Sequence, residues 1–408
     1  MALTLAFGLV LLTSVSLSGL AARTVLSTAL LFLVAGALLG PGGFGVDDIH
    51  AGDEIVTVLA DLALFTVLFT DGQRACLPAL RENWRLSGRA LGLGMPLTMV
   101  GIAMPAHYLL GLDWTTAFLI GAILSPTDPV FASALVGRDD VPLRLRRLLN
   151  VESGLNDGLA LPFVLIFLAT ARHENTELKS LILELVLGLV MGAAIAAAVA
   201  LLWRLPLFSA EPRLQPLGPA AIAIVVYASC HLLHANAYLA AFAAGSVLAT
   251  LDGVASDRFQ PFGDLVSELT KFAALLVFGA LITPERLFGL SWTQWILPVV
   301  AILVVRPAAL LLSLIRTRLP TRERVTAAWF GPKGFASVVY GLLVLQSGIP
   351  DSQVVFDIVA ATIALSIVVH STTDVPAAKM LRVEPPNDLP NAAPDEQPAE
   401  VSGDRAPT

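Results

Sequence analysis

Cysteine and charge are scarce in this chain of 408 residues. Cys76 and Cys230 are its only cysteines and stand in different segments, too few for a disulfide scaffold or a thiolate metal cage. Charged side chains make up 14% of the sequence, well short of the quarter or so that a soluble domain carries. With 25 Lys and Arg against 32 Asp and Glu and a net charge of −7, there is no basic face for nucleic acid. Six histidines (His50, His107, His173, His231, His234 and His370) are scattered, none beside acids at metal-ligand spacing. They are expected to be solvated groups near span ends, with His231 and His234 as candidates for tuning a pH response. Neither GxSxG nor HExxH occurs, so the chain lacks these signatures of hydrolases, and no enzyme activity or cofactor is expected.

What is abundant is apolar: 56% of residues, with a mean hydropathy of +0.78. That excess makes the chain an all-α polytopic membrane protein, because about 20 apolar residues in a helix cross the hydrocarbon layer. Thirteen runs of roughly that length are present, at 3–21, 24–40, 54–70, 88–110, 113–137, 150–171, 180–203, 217–234, 236–251, 264–284, 290–315, 325–347 and 353–374. The stretch Ala2 to Ala21 lacks the basic start of a signal peptide and is expected to be the first membrane helix. The eighth and ninth runs are divided by little more than the polar His234–Asn236, which leaves twelve as the alternative count.

Loop charge supports thirteen. One set of alternate loops holds Arg23, Arg74, Arg81, Arg85, Arg89, Arg138, Arg144, Arg146, Arg147, Arg204, Arg213, Arg258, Arg316, Arg318, Arg322 and Arg324, whereas the other holds Arg172, Lys179 and Arg286. By the positive-inside rule the first set is cytoplasmic, the N-terminus outside and the C-terminus inside. Residues 1–375 then form the membrane domain. From Glu384 the chain turns rich in Pro and acid, and 384–408 is expected to be a disordered cytoplasmic tail. Connecting loops are too short for an inserted soluble domain.

An ionisable group inside a span costs several kcal/mol and asks for a reason. Asp128, in SPTDPV, is flanked by Pro126 and Pro129, which strip backbone donors and predict an unwound helix at membrane depth. Carbonyls there and the Thr127 hydroxyl are hard oxygen ligands suited to an alkali cation. The next span opens NVESGLNDG, placing Glu152 with Asn156 on one helix face and Ser153 with Asp157 on a neighbouring one. Arg306, in VVRPAA, needs a buried acid, Glu152 or its rival Glu268. Lys333, in FGPKGF, marks a second interrupted span seven runs after the first. An odd separation reverses direction, so the two fit an inverted repeat of six-helix units with two broken, crossing helices whose partial charges Asp128 and Lys333 neutralise. Lys271 and Glu268, one turn apart near a span end, are expected to snorkel or pair locally.

SPTDPV, ESGLNDG, the Arg-Pro and GPKG segments, and NAYLAAFAAGSVLA together resemble the monovalent cation/proton antiporters, specifically the NhaP-like sodium/proton exchanger branch, over residues 1–375. The resemblance implies that Asp157 carries the cation and the proton, with Thr127, Asp128 and Ser153 as further members of a Na+ site. It makes Asn156 the amide of the electroneutral branch and Glu152 with Arg306 a structural ion pair. It also implies a homodimer in lipid, in which one bundle is a fixed scaffold and the broken-helix bundle moves, and a role in pH homeostasis at a bacterial inner membrane. Lys333 departs from the family, where Arg is common. Potassium in place of sodium stays open, because spacing does not reveal the rigidity of an oxygen cage. A cation channel or ion-gated sensor is the alternative of another class, disfavoured by a single buried carboxylate that must be protonated or cation-bound.

Overall fold

A computed structural model describes residues 2–21, 28–45, 49–75, 85–128, 141–172, 178–205, 207–208, 211 and 213–380. Cys76, His173, residues 129–137 of the fifth run, Arg23, Arg81 and Arg138 of the loops, and the tail from Glu384 lie outside them. Every apolar run carries helix: α1 (Ala2–Ala21), α2 (Thr28–Leu39), α3 (Glu54–Arg74), α4 (Arg85–Leu110), α5 (Trp114–Ile123), α6 (Leu143–Ala171), α7 (Leu178–Leu202), α8 (Leu217–Leu232), α9 (Ala237–Leu251), α10 (Gly253–Leu281), the short α11 (Pro284–Gly289), α12 (Trp292–Ser313), α13 (Thr321–Trp329), α14 (Phe335–Gln346) and α15 (Ser352–Met380). The eighth and ninth runs are separate helices, because Ala235 closes back on Cys230 and Asn236 caps α9 by accepting from the Leu239 N–H. The twelfth is split into α13 and α14 by the extended Phe330–Gly334. No strand occurs among the described residues.

Large apolar side chains stand exposed on the outer helices, Leu183 and Val190 of α7 and Leu5 and Leu9 of α1 among them. Such a surface suits lipid and not water. Inside, two bundles form: α1–α3 with α7–α10, and α4–α6 with α12–α15.

The internal repeat is visible in the packing. α3 lies against α9 and α10 against α2; α3 and α10 stand seven spans apart, as do α2 and α9, so the repeat carries one contact into the other. Both contacts are backbone on backbone, made possible by reciprocal glycines: a Cβ on Gly72 would lie 2.2 Å from the Phe242 carbonyl and one on Gly245 2.1 Å from that of Phe69. Gly36 would meet the Leu276 carbonyl at 2.0 Å and Gly279 that of Leu33 at 2.2 Å. Small residues permit this approach where lipid supplies no hydrophobic drive between helices. α4 and α12, also seven spans apart, each carry one wider π-turn, Ala90–Gly94 and Ala301–Val305, just before Pro96 and Pro307. A proline ring cannot fit the regular ladder, and the wider turn takes up the misfit.

Candidate functional site

α5 stops at Ile123, and Ser125–Asp128 run on without helix, as the proline-flanked sequence predicts. This segment meets the extended Phe330–Gly334. The Asp128 N–H donates to the Pro332 carbonyl (3.0 Å), and Asp128 Oδ2 accepts from the Phe335 N–H (3.1 Å), the first residue of α14. In the opposite sense the Lys333 ammonium approaches the Pro126 carbonyl (3.4 Å), while its backbone N–H donates to Ser366 Oγ of α15 (2.8 Å). Each charge therefore reaches across to the other interrupted segment, the carboxylate at a helix N-terminus and the ammonium at a free carbonyl, as partial charges at helix ends require. Lys333 is 0% exposed, so it is no end-of-span snorkeller. Gly334 has no alternative at the crossing, since a Cβ there would lie 1.9 Å from Asp128 Cβ.

α6 begins at Leu143, seven residues before the apolar run, so the NVESGLNDG segment lies well within the helix and not at its mouth. Glu152, Ser153, Asn156 and Asp157 are all buried. Asn156 Nδ2 donates to Thr127 Oγ1 (2.8 Å) and to the Thr127 carbonyl (3.2 Å), tying α6 to the unwound segment. Asn156 Oδ1 and Asp157 Oδ1 remain without a hydrogen-bond partner among the described residues. Such orphaned buried oxygens are uncommon in a folded protein. Arg306 Nη2 donates to Glu152 Oε1, which settles the partner of that guanidinium: Glu268 is exposed.

Three expectations are corrected. Lys271 does not snorkel beside Glu268; it is 9% exposed, with its ammonium over the Phe335 ring. His370 is not a solvated interface group but is buried, its Nδ1 on the Ser366 carbonyl (2.8 Å) and its Nε2 on that of Trp329 (3.1 Å). Arg74 is no loop residue: it closes α3, bridging Asp71 (3.0 Å) and Asp264 (2.8 Å).

Two contributors were not legible in the sequence. Asp71 is buried in the last turn of α3, and Gly154 of α6 packs near its carbonyl and near Arg74. Its DGQR setting resembles the start of a loop, which hid it. The Tyr340 hydroxyl donates to the Asp157 carbonyl (2.7 Å) and fixes α14 to α6; a lone tyrosine in an apolar run carries no signal of this.

Two interrupted helices that cross beside a buried, partly unpaired acid have the build of a secondary transporter, and by family this one is a cation/proton antiporter. The chain belongs to the sodium/hydrogen exchanger (transmembrane) family, whose model matches residues 9–379. It is 26% identical over 392 residues to the K(+)/H(+) antiporter NhaP of Alkalimonas amylolytica, covering 94% of this chain and 67% of that one. A shorter match, 40% identical over 87 residues, is to the low-affinity Na(+)/H(+) antiporter NhaS1 of Synechocystis, covering 21% of this chain and 16% of that one. In fold it is similar to the sodium proton antiporter MjNhaP1 of Methanocaldococcus jannaschii, with a TM-score of 0.77, 19% identity, and 94% and 98% of the two chains covered.

Proposed function

We propose that exchange takes place at Asp157, one Na+ against one proton, by alternating access. The observation that carries this reading is the buried Asp157 carboxylate with an unpaired oxygen, beside an amide and not a second acid. A bare anion held there costs several kcal/mol, so the site crosses the membrane only when a proton or a cation neutralises it. Competition of the two for one group is exchange. Thr127, Ser153 and Asn156 supply neutral oxygens around the cation. Asp128 and Lys333 offset the half-helix ends, and Glu152 with Arg306 holds α6 to α12. Asp71 adds a carboxylate already engaged by Arg74, so one exchangeable charge remains and the cycle is electroneutral. Potassium is the second reading, favoured by the K(+)/H(+) names of relatives that align along more than nine-tenths of the chain.

The reading extends to the surroundings: a homodimer in the lipid of a bacterial inner membrane, N-terminus outside and C-terminus cytoplasmic, with the α1–α3 and α7–α10 bundle as scaffold. Residues 1–375 are the antiporter domain and 384–408 a disordered cytoplasmic tail, with no cofactor and a role in pH homeostasis. The test is exchange in proteoliposomes driven by a pH step, with Na+, K+ and Li+ in turn. Asp157→Asn should abolish exchange with the protein still folded, and a clamped membrane potential should leave the wild-type rate unchanged. Exchange by Asp157→Asn at near wild-type rate overturns the site. A balance point that shifts with voltage overturns the one-to-one stoichiometry, and cation flux without proton movement supports a channel instead.

A further inference from the structure

The scheme above makes no use of the one buried cation on α10. Ser267, Lys271, Ala274 and Phe278 form a buried stripe along this helix, at the spacing of one helix face. The stripe faces the broken-helix bundle: Phe278 meets Phe356 of α15 with ring centroids 5.1 Å apart, and the Lys271 ammonium stands 5.9 Å from the centroid of Phe335. Phe335 is the residue whose N–H holds Asp128. Beside Lys271 in the chain, Thr270 hydrogen-bonds Thr66 of α3 at 3.0 Å, drawing α10 against the helix that carries Asp71. Lys271 thus lies where the two bundles meet the ion site.

Its electrostatic position is unusual for a buried lysine. Among the described residues it makes no salt bridge with a carboxylate, and its ammonium stands over the face of one aromatic ring. Yet it lies within electrostatic reach of Asp71, which Arg74 already bonds, and of Asp157 as well. A fixed positive charge within the field of two carboxylates, but bonded to neither, weakens the hold of those carboxylates on any other cation.

We propose that Lys271 is a resident competitor of the transported cation, a tethered ammonium on α10 that lowers the affinity of the Asp157 site and so sets its KM. This rests on Asp157 being the exchange site. The ammonium cannot leave, so it opposes tight capture of the mobile cation and favours its release. Lys271 is a positioning and affinity-setting residue; it is not a ligand.

The experiment compares Lys271→Met, which keeps the apolar stem and removes the charge, with Lys271→Arg, which keeps the charge. Na+/H+ exchange is measured in proteoliposomes at one fixed pH, with KM and kcat separated and Na+ binding measured on the purified proteins. Lys271→Met should lower KM for Na+ about tenfold, which at an effective dielectric of about 20 is the scale of a unit charge roughly 12 Å away. Its kcat should stay level or fall, and Lys271→Arg should stay within twofold of wild type in KM. A KM in Lys271→Met that is unchanged or raised overturns the proposal, as does equal tightening in Lys271→Arg. A purely structural lysine would lower kcat and stability without tightening the site. Should Lys271→Met fail to fold, Lys271→Gln is read by the same two criteria. Asp157→Asn in the same vesicles separates the failures: persistent exchange there removes the site itself, whereas its loss alongside an unchanged KM in Lys271→Met removes this inference alone.

Discussion

Removing one charge from the Glu152–Arg306 pair should destabilise the protein far more than removing both. The two side chains are 6% and 4% exposed, and the pair joins α6 to α12 across the bundle that carries the crossing. Breaking a buried pair costs about 3–5 kcal/mol, because the partner left behind is an uncompensated charge. The surroundings rank the two single changes. Lys333 lies within electrostatic reach of both groups, so Arg306→Met leaves an acid that still has a basic side chain nearby, whereas Glu152→Gln leaves Arg306 and Lys333 without a charged acid beside them. Arg306→Met is therefore expected near 3 kcal/mol and Glu152→Gln near 5, at the two ends of that range of about 3–5 kcal/mol. Glu152 Oε2 and Arg306 Nε have no hydrogen-bond partner among the described residues, so the intact pair is itself poorly compensated for its lost hydration. The double variant leaves no unpaired charge and should accordingly cost less than about 2 kcal/mol, so that the coupling energy is about 6 kcal/mol. Equilibrium unfolding of the purified protein in mixed micelles, run as a double-mutant cycle, measures all three. Additivity to within about 0.5 kcal/mol refutes the pairing, and a costlier Arg306→Met refutes the role given to Lys333.

Gly334→Ala places a Cβ 1.9 Å from Asp128 Cβ and 2.6 Å from its Oδ2, so it should abolish exchange and cost at least the roughly 1–3 kcal/mol of an overpacked core. Gly52→Ala, with nothing within 4 Å, is the silent control, and wild-type exchange by Gly334→Ala rules out the crossing. Asp113→Ala removes the cap of α5, where the carboxylate accepts from the Thr115 N–H (2.8 Å), the Thr116 N–H (3.1 Å) and the Thr116 hydroxyl (2.7 Å), and should cost about 1 kcal/mol at neutral pH. Partial burial pushes this carboxyl up, but the bonds from Thr116 and Thr115 outweigh it and hold the group below the ordinary carboxylate range. A depressed value in the folded state means that the stabilisation is present above the unfolded value of about 3.9 and is lost as pH falls through the folded one. The gap between wild type and Asp113→Ala should close in that acid window; a gap constant down to it shows that the bonds are not made.

By itself the sequence determined the helical membrane architecture, because hydropathy is a local property and each run of apolar residues declares its span without reference to any other. Pro126 and Pro129 around Asp128, and Gly331, Pro332 and Gly334 around Lys333, likewise announce interruption where they stand, since a missing donor or Cβ acts on its own turn. The acids and amide of α6 were legible for the same reason: polar groups within two turns of an apolar span have no local explanation. Choosing between Glu152 and Glu268 for Arg306 required the tertiary structure, since both acids satisfy the charge and only packing decides which one α12 faces. Asp71 was hidden because a polar DGQR at the end of a run reads the same whether it enters water or turns into a bundle. Lys271 and His370 were misjudged on the same ground: position near the end of a run sets distance along the helix, but not the face on which a side chain lies. That face is settled by contacts between segments tens of residues apart, such as Phe335 beside Lys271 or Trp329 beside His370, and those contacts exist only once the helices have packed on each other.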